Sequence, residues 1–287
     1  LIDYCKEIRS VVKRNTRIPI SIGIAPTKTL AKVANKLVKK KFKADGVCYL
    51  KTQEDVKELL KDFDVGDIWG VGRQYEKLLK KHGIDTALKL MNANDSWIKK
   101  NLSVVGLRLV NELRGMPCIE LDEVPADKKN ICVSRSFGHM IADVKILEES
   151  LSTHANTASE KLRKQGSNAS SISVFLQTNR FRSDLPQYFN TKQIELPFAT
   201  NDSANIIKAA LKGLYLMFRP GYLYKKCGIY LNELTPANEV QLNLFVEEDS
   251  EKKKKLNKAV DILNNKWGRG ALKYAVQGTE KKWKLKY

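Results

Sequence analysis

Val65-Gly66-Asp67-Ile68-Trp69-Gly70-Val71-Gly72-Arg73 is followed by Tyr75, Leu78, Leu79 and His82 at helical spacing. Glycines set between apolar residues, then a helix opening on Arg73, have the form of a helix-hairpin-helix. Glycines let such a turn bring its backbone close to a phosphate. The first-turn N–H groups of the next helix, which lack an intrahelical acceptor, then bind it. Such a grip positions DNA without reading its bases. The alternative is an ordinary helical hairpin with a glycine turn, and the basic surroundings favour DNA. The contact residues expected are Gly70, Val71, Gly72 and Arg73.

Outward from the hairpin, short helices separated by glycines read from Val56 to Leu60, Arg73 to His82, Thr86 to Met91, Trp97 to Leu102 and Val104 to Arg114. Residues 52–116 are expected to be an all-helical domain. Upstream, Tyr4, Ile8, Val11 and Val12 mark an amphipathic helix, and Pro19 to Ala25 reads as a short buried strand. Pro26-Thr27 supplies turn and N-cap for a helix from Lys28 to Phe42. On it Leu30, Val33, Ala34 and Leu37 share one side, and Lys28, Lys32, Asn35 and Lys39 the other. This strand and helix, Pro19 to Phe42, have no sheet to join, which would make them the least stable part of the chain. The chain opens at Leu1 rather than Met, inside a helix, and is expected to be truncated.

Downstream, residues 117–130 are polar with two prolines and read as a linker. The next elements are a strand near Ile131 to Phe137, a long helix through Leu147 and Leu162, and strands alternating at Ile172, Val174, Leu176 and at Ile194, Leu196, Phe198. A helix near Ser203 to Phe218 and a strand near Lys225 to Leu231 follow. The order βαββαβ over residues 131–235 predicts one sheet with both helices on one face. Arg135 with Ser136, Arg180, Arg182, Lys192, Lys225 and Lys226 lie on or beside these strands, so a basic sheet face for duplex backbone is expected. Residues 236–287 read as a flexible tail with Gln241-Leu242-Asn243-Leu244-Phe245, then a small helical unit in which Leu256, Ala259, Val260, Leu263 and Trp267 share a side. Large apolar side chains in a polar linker need a partner's groove, so Gln241 to Phe245 is read as a docking peptide.

The whole chain of 287 residues can bury two or three cores, giving an α+β multidomain protein. Lys and Arg number 51 against 32 Asp and Glu, and net +19 makes nucleic acid the leading partner. No apolar run is long enough to span a membrane. The five cysteines show no Cys-x-x-Cys spacing and accompany only three histidines, so zinc and a disulfide framework are set aside. They read as reduced, mostly core residues of a cytosolic protein. Nucleotidyl transfer needs paired carboxylates holding metal ions. Neither Asp-x-Asp nor Asp-Glu occurs on a predicted strand, and Asp122-Glu123 and Glu247-Glu248-Asp249 fall in linkers.

Taken together, these motifs resemble a known family. Ser21-Ile22-Gly23-Ile24-Ala25-Pro26-Thr27-Lys28 through Asn35 resembles the palm segment of Y-family translesion DNA polymerases, Ile68 to Arg73 their thumb, and Ser134-Arg135-Ser136-Phe137-Gly138 the opening of their little finger. The tail, with Gln241 to Phe245 and then Gly268-Arg269-Gly270-Ala271-Leu272 through Gln277-Gly278, is similar to the UmuC-like branch. The resemblance implies a palm remnant, a helical thumb, a DNA-binding little finger and a tail that docks on a sliding clamp. It further implies primer-template DNA, UmuD′ and RecA as partners in lesion bypass during the SOS response, in the cytoplasm on the nucleoid. Lys39, with Lys32 on the same side, takes the place of the family's triphosphate-contacting lysine, although Lys39-Lys40-Lys41-Phe42 replaces the usual Lys-Pro-x-Gly. The family's Mg²⁺-binding carboxylates lie upstream of where this chain begins, so no cofactor is expected in it and no nucleotide addition by it alone. The rival reading is a non-catalytic, clamp-associated DNA-binding adaptor. A helix-hairpin-helix glycosylase or nuclease is disfavoured by the βαββαβ domain that follows.

Overall fold

The computed structural model describes residues 1–40, 46–121, 126–238 and 251–285, which belong to two units, Leu1–Val124 and Pro125–Tyr287. In the first, helix α1 (Ile2–Thr16) leads to strand β1 (Ile22–Ile24) and helix α2 (Lys28–Lys40). The apolar side of α2 read from the sequence, Leu30, Val33, Ala34 and Leu37, is buried, and Val38 joins it. A Cβ on Gly23 would come within 2.4 Å of the Ala31 carbonyl oxygen, so this approach of α2 to β1 requires glycine. The expectation of a strand without a sheet is corrected: β2 (Val47–Tyr49) pairs in parallel with β1, Gly23 opposite Cys48. A three-residue strand is too short to announce itself by alternation. The apolar positions of α1 remain largely uncovered; Cys5 is buried, whereas Tyr4, Ile8 and Val11 are exposed.

The helical part consists of α3 (Gln53–Lys61), α4 (Arg73–Lys81), α5 (Ala87–Met91) and α6 (Asp95–Leu113). Thr52 and Asp55 form a reciprocal capping box on α3, and Thr86 and Asn94 cap α5 and α6. α6 is broken at Ser103 (φ 65°, ψ −174°), which separates the two helices read from the sequence. Its second half carries Glu112, fully buried, whose carboxylate accepts hydrogen bonds from the N–H groups of Thr29 (3.0 Å), Cys118 (2.7 Å) and Ile119 (3.2 Å). The Glu112 carbonyl accepts from the Thr27 hydroxyl at 2.8 Å. Burial on its own pushes the Glu112 carboxyl up, but the N–H donors of Cys118, Thr29 and Ile119 outweigh it and hold the pKa below its ordinary value. The expected linker 117–130 is therefore not free along its length: residues 118 and 119 are pinned to Glu112, and Lys128 exchanges two hydrogen bonds with Gln165.

The second unit runs β3 (Ile131–Ile141), α7 (Val144–Gln165), β4 (Ser167–Thr178), β5 (Phe189–Thr200), α8 (Ser203–Met217) and β6 (Tyr224–Pro236), with antiparallel strand order β3-β6-β4-β5. Leu151 and Leu162 of α7 and Ile206 and Leu214 of α8 share one core with Ile172, Val174, Ile229 and Leu231, so both helices lie on one face, as the βαββαβ order predicts.

The helical unit expected after the clamp peptide is present, but it packs on the second unit in place of standing apart from it. Helix α9 (Glu251–Trp267) and the residues to 285 close onto this same unit. Arg163 and Asp261 form a two-pronged ion pair at 2.7 and 2.8 Å, Asn257 donates to Asp202 at 2.8 Å, and Trp283 enters the core edge-on to His154. The Gly138 N–H, on the outer strand β3, donates to the Trp283 carbonyl at 3.2 Å. α9 docks by its polar side and turns Leu256, Leu263 and Trp267 outward, contrary to the apolar register read from the sequence. Arg163 and Asp202, both largely covered, require partners, and the polar side of α9 completes the set begun by the Asn201 carbonyl and Ser203 hydroxyl for Arg163 and the Asn205 N–H for Asp202. The cysteines are all free: Cys5 and Cys227 are buried and Cys48 packs half-buried against the first core, whereas Cys118 is half-buried outside it and Cys132 is exposed, so the mostly-core expectation fails for the last two.

Two outcomes are expected. Glu112→Gln sets an amide donor among three N–H donors and should lower the stability of the first unit by about 2–4 kcal/mol, read as faster hydrogen exchange of the α2 amides. Because the folded pKa of Glu112 is depressed, its contribution is present above the unfolded value of about 4.3 and fades as pH falls through the lower folded value. The variant should lack that part of the pH dependence. Trp283→Ala should cost the second unit about 3–5 kcal/mol by urea unfolding.

Candidate nucleic-acid interface

The hairpin is built from the inside out. Val65, Ile68 and Val71 are buried, and a one-turn 3-10 helix at Val65–Asp67 is capped by the Asp64 carboxylate. The Val71 N–H returns to the Ile68 carbonyl at 3.0 Å, tightening the turn around Trp69 and Gly70. Gly70 has φ +101°, and a Cβ there would meet Leu109 Cδ1 at 2.7 Å, so its glycine is a requirement of the fold. Gly72 differs. Its backbone is extended (φ −85°, ψ 169°) and a Cβ would meet nothing within 4 Å, so the fold places no demand for glycine there. Gly72 is the N-cap of α4, and no side chain caps that helix. The start of α4 is thus left without a side-chain acceptor at the positive end of the helix dipole, beside open space at Gly72 and the exposed Arg73.

α2 brings cations to this turn. The Lys32 ammonium stands 5.8 Å from the centre of the Trp69 ring, and Lys36 pairs with Asp67 at the base of the 3-10 turn. Lys32 and Lys39 are exposed on α2, seven residues apart and so about 10 Å along it. Lys28 and Asn35, placed on the same cationic side by periodicity, have structural partners instead: Lys28 donates to the Glu120 carbonyl and Asn35 to the Ser21 carbonyl. Trp69 and Lys36 were not singled out by the sequence. An aromatic residue inside a glycine turn was the available signal.

On the sheet, register decides which side chains share the face opposite the helices. Ser136, Lys226, Gln177 and Phe189 form one row across the four strands; Ser134, Gly228, Phe175 and Thr191 the next; Cys132, Tyr230, Ser173 and Gln193 the third. This face is a grid of hydroxyls and amides around the Phe175–Tyr230 ring pair, with Lys226 5.7 Å from the Phe175 ring centre and Glu195 one row beyond Gln193. The expected basic face is therefore corrected. Arg135 pairs with Cys227 and so has core-side parity at the outer strand, Lys225 donates to the Phe137 carbonyl, and Lys192 pairs with Val174 on the core side. Arg180 and Arg182 lie in the turn between β4 and β5, where Arg182 is chelated by Asp184 and Arg180 is exposed.

The titratable groups in the second-unit core are quiet. Burial and the neighbouring Arg135 charge push the His154 pKa down to about 4, and burial pushes the Cys227 thiol up to about 12, leaving both neutral near pH 7. Among the described residues no three His, Cys, Asp or Glu gather to hold a metal ion, and no helix is long and apolar enough to cross a membrane. Gln241 to Phe245, Asp122-Glu123 and Glu247-Glu248-Asp249 lie outside the described residues.

Residues 2–36 match the impB/mucB/samB family, 53–84 the IMS family HHH motif, 128–244 the impB/mucB/samB family C-terminal domain, and 254–287 a domain described only as of unknown function. The chain is 39% identical to Protein UmuC of Salmonella typhimurium strain LT2 over 100% of its own length and 68% of the relative's. It is 39% identical to Protein ImpB of Salmonella typhimurium over 98% of its length and 66% of the relative's, and so spans about two thirds of these proteins. Among solved structures, a Y-family DNA polymerase chimera superposes with a TM-score of 0.51 at 18% identity, covering 81% of this chain and 63% of that one, a likeness of fold.

The two hairpin glycines should separate in unfolding experiments. Gly70→Ala should destabilise the first unit by about 1–3 kcal/mol through strain at positive φ. Gly72→Ser supplies an N-cap hydroxyl and should be neutral or stabilising by a few tenths of a kcal/mol.

Proposed function

The chain belongs to the UmuC-like Y-family DNA polymerases, and from that membership we propose that it holds primer-template DNA during synthesis past lesions, as part of the SOS response. In this reading residues 1–51 are part of the palm, 52–116 the thumb, 117–130 the connection, 131–235 the little finger and 236–287 the C-terminal tail. The observation that carries it is the uncapped N-terminus of α4 behind Gly72, in a protein of net +19, with the Lys32 ammonium held at the same turn. First-turn N–H groups and Arg73 take a phosphate of one strand, and the absence of a side chain at 72 lets the backbone reach it.

The little finger contacts the backbone as well. Ser136, Lys226, Thr191 and Gln193 offer hydrogen bonds suited to phosphate and sugar oxygens, with Arg180 at the turn and Arg135 along the outer strand adding charge. Lys225 and Arg182 contribute less, since each already has a partner within the unit. Lys39, with Lys32, faces the triphosphate of the incoming nucleotide as a mobile point charge. Gln241 to Phe245 docks on the sliding clamp by its leucine and phenylalanine side chains. UmuD′ and RecA are the protein partners this reading brings with it, and the cytoplasmic nucleoid its location.

Magnesium, when bound in a family enzyme, neutralises the charge developing on the transferred phosphoryl group. The described residues offer no matching set of ligands. The proposal for this chain is therefore confined to binding and positioning, with no Mg²⁺-dependent primer extension by the chain alone.

Fluorescence anisotropy on a labelled primer-template tests it. Affinity should fall with salt at a log-log slope of about 0.9 per phosphate contacted, equally for unrelated sequences. Gly72→Ser should weaken binding several-fold while the protein stays at least as stable, because its hydroxyl competes for the N–H groups the phosphate uses. Unchanged affinity in that variant would sink the hairpin assignment. Phe245→Ala should abolish clamp binding and spare DNA binding, and equal loss of both would count against separate roles.

A further inference from the structure

The side of α9 that its sequence marks as apolar is turned away from the unit. Leu256, Leu263 and Trp267 are 58%, 41% and 70% exposed, while Asn257 beneath them is buried. The helix has no freedom to roll this stripe inward. Asn257 is held by Asp202, Asp261 by both prongs of Arg163, and the Asn264 side-chain amide exchanges two hydrogen bonds with the Leu272 backbone (2.9 and 3.0 Å). Leu256, Val260, Leu263 and Trp267 are spaced four, three and four residues apart, which is the seam of a coiled coil. A seam this narrow fits a second helix better than a bilayer, into which a broader apolar face must sink.

Charge selects the occupant. Along one border of the seam, seven residues apart on either side of Ala259, stand Lys252 and Lys266, and α9 as a whole carries six lysines against Glu251 and Asp261. The other border, Asn257 and Asn264, is already engaged with the unit. A second copy of this chain would bring lysine against lysine. DNA would leave the leucines and Trp267 unburied.

We propose that α9 is a docking helix for an acidic amphipathic helix of a partner protein, which packs apolar residues on Leu256, Val260, Leu263 and Trp267 and sets carboxylates against Lys252 and Lys266. The seam has fewer than three heptads, so the association is a reversible one. It is independent of the DNA contacts, which lie on other elements.

The full chain is titrated with a peptide of about three heptads bearing Leu at its seam positions and Glu on both borders. A second peptide has Lys in place of Glu, and vesicles of phosphatidylglycerol and phosphatidylcholine form a third arm. The signal is the Trp267 emission, taken as the difference from Trp267→Phe. A saturable blue shift is expected with the Glu peptide alone, weakened by added salt and weakened about tenfold or more by Leu263→Asp. That substitution sits on an exposed position and should leave the circular dichroism and unfolding midpoint unchanged. The proposal is overturned by the absence of saturation, by equal response to both peptides, by a shift that survives Leu263→Asp, or by a response to vesicles in place of the peptide. Concentration-dependent dimerisation that Leu263→Asp abolishes would likewise overturn it in favour of self-association.

Discussion

One buried carboxylate ties the first unit together. Glu112 sits where the start of α2, the end of α6 and residues 118–119 converge: α6 brings the carboxylate, and α2 and residues 118–119 bring the backbone N–H groups that it satisfies. An isolated carboxylate in such a place would be driven to protonate, but three N–H donors make the charged form the stable one. The strength of that arrangement follows from its reciprocity. The donors would be unsatisfied without the charge, and the charge would be intolerable without the donors. Everything at the hairpin depends on it at one remove, because the helix that brings Lys32 to Trp69 starts at the residues Glu112 holds.

The two glycines of the hairpin divide between folding and exposure. Gly70 is needed by the turn itself, through its positive φ and the nearness of Leu109, whereas the space around Gly72 is open. A glycine with no internal reason to be one draws attention to what approaches from outside. The uncapped helix start next to it has the matching property, since capping by a side chain would occupy the donors that an anion uses.

Much of this was legible in the sequence where periodicity and punctuation are strong. The glycines of 66–72, the 3.6-residue repeat on α2 and the alternation in β4 and β5 all named their elements. What escaped has definite physical causes. β2 is three residues long, below the length at which alternation is a signal. Glu112 lies in a helix among apolar residues and reads as a solvated charge unless its three distant donors are known. Cations near the strands were legible as a group, but whether Arg135 or Lys226 faces the open side is a matter of register, fixed only by pairing with β6. α9 was misread because the rule that apolar residues face inward gave way to two charged groups, Arg163 and Asp202, that needed polar partners.

The hydrogen bond from Gly138 to Trp283 has a consequence for how the molecule survives in a crowded solution. β3 is an outer strand, and an outer strand with free N–H groups is a template on which other chains can add. By laying the residues around Trp283 along Gly138, the chain covers part of that edge with a later segment of its own. Removal of the segment around Trp283 would then do more than loosen a core: it would bare part of a strand edge to which other chains can add.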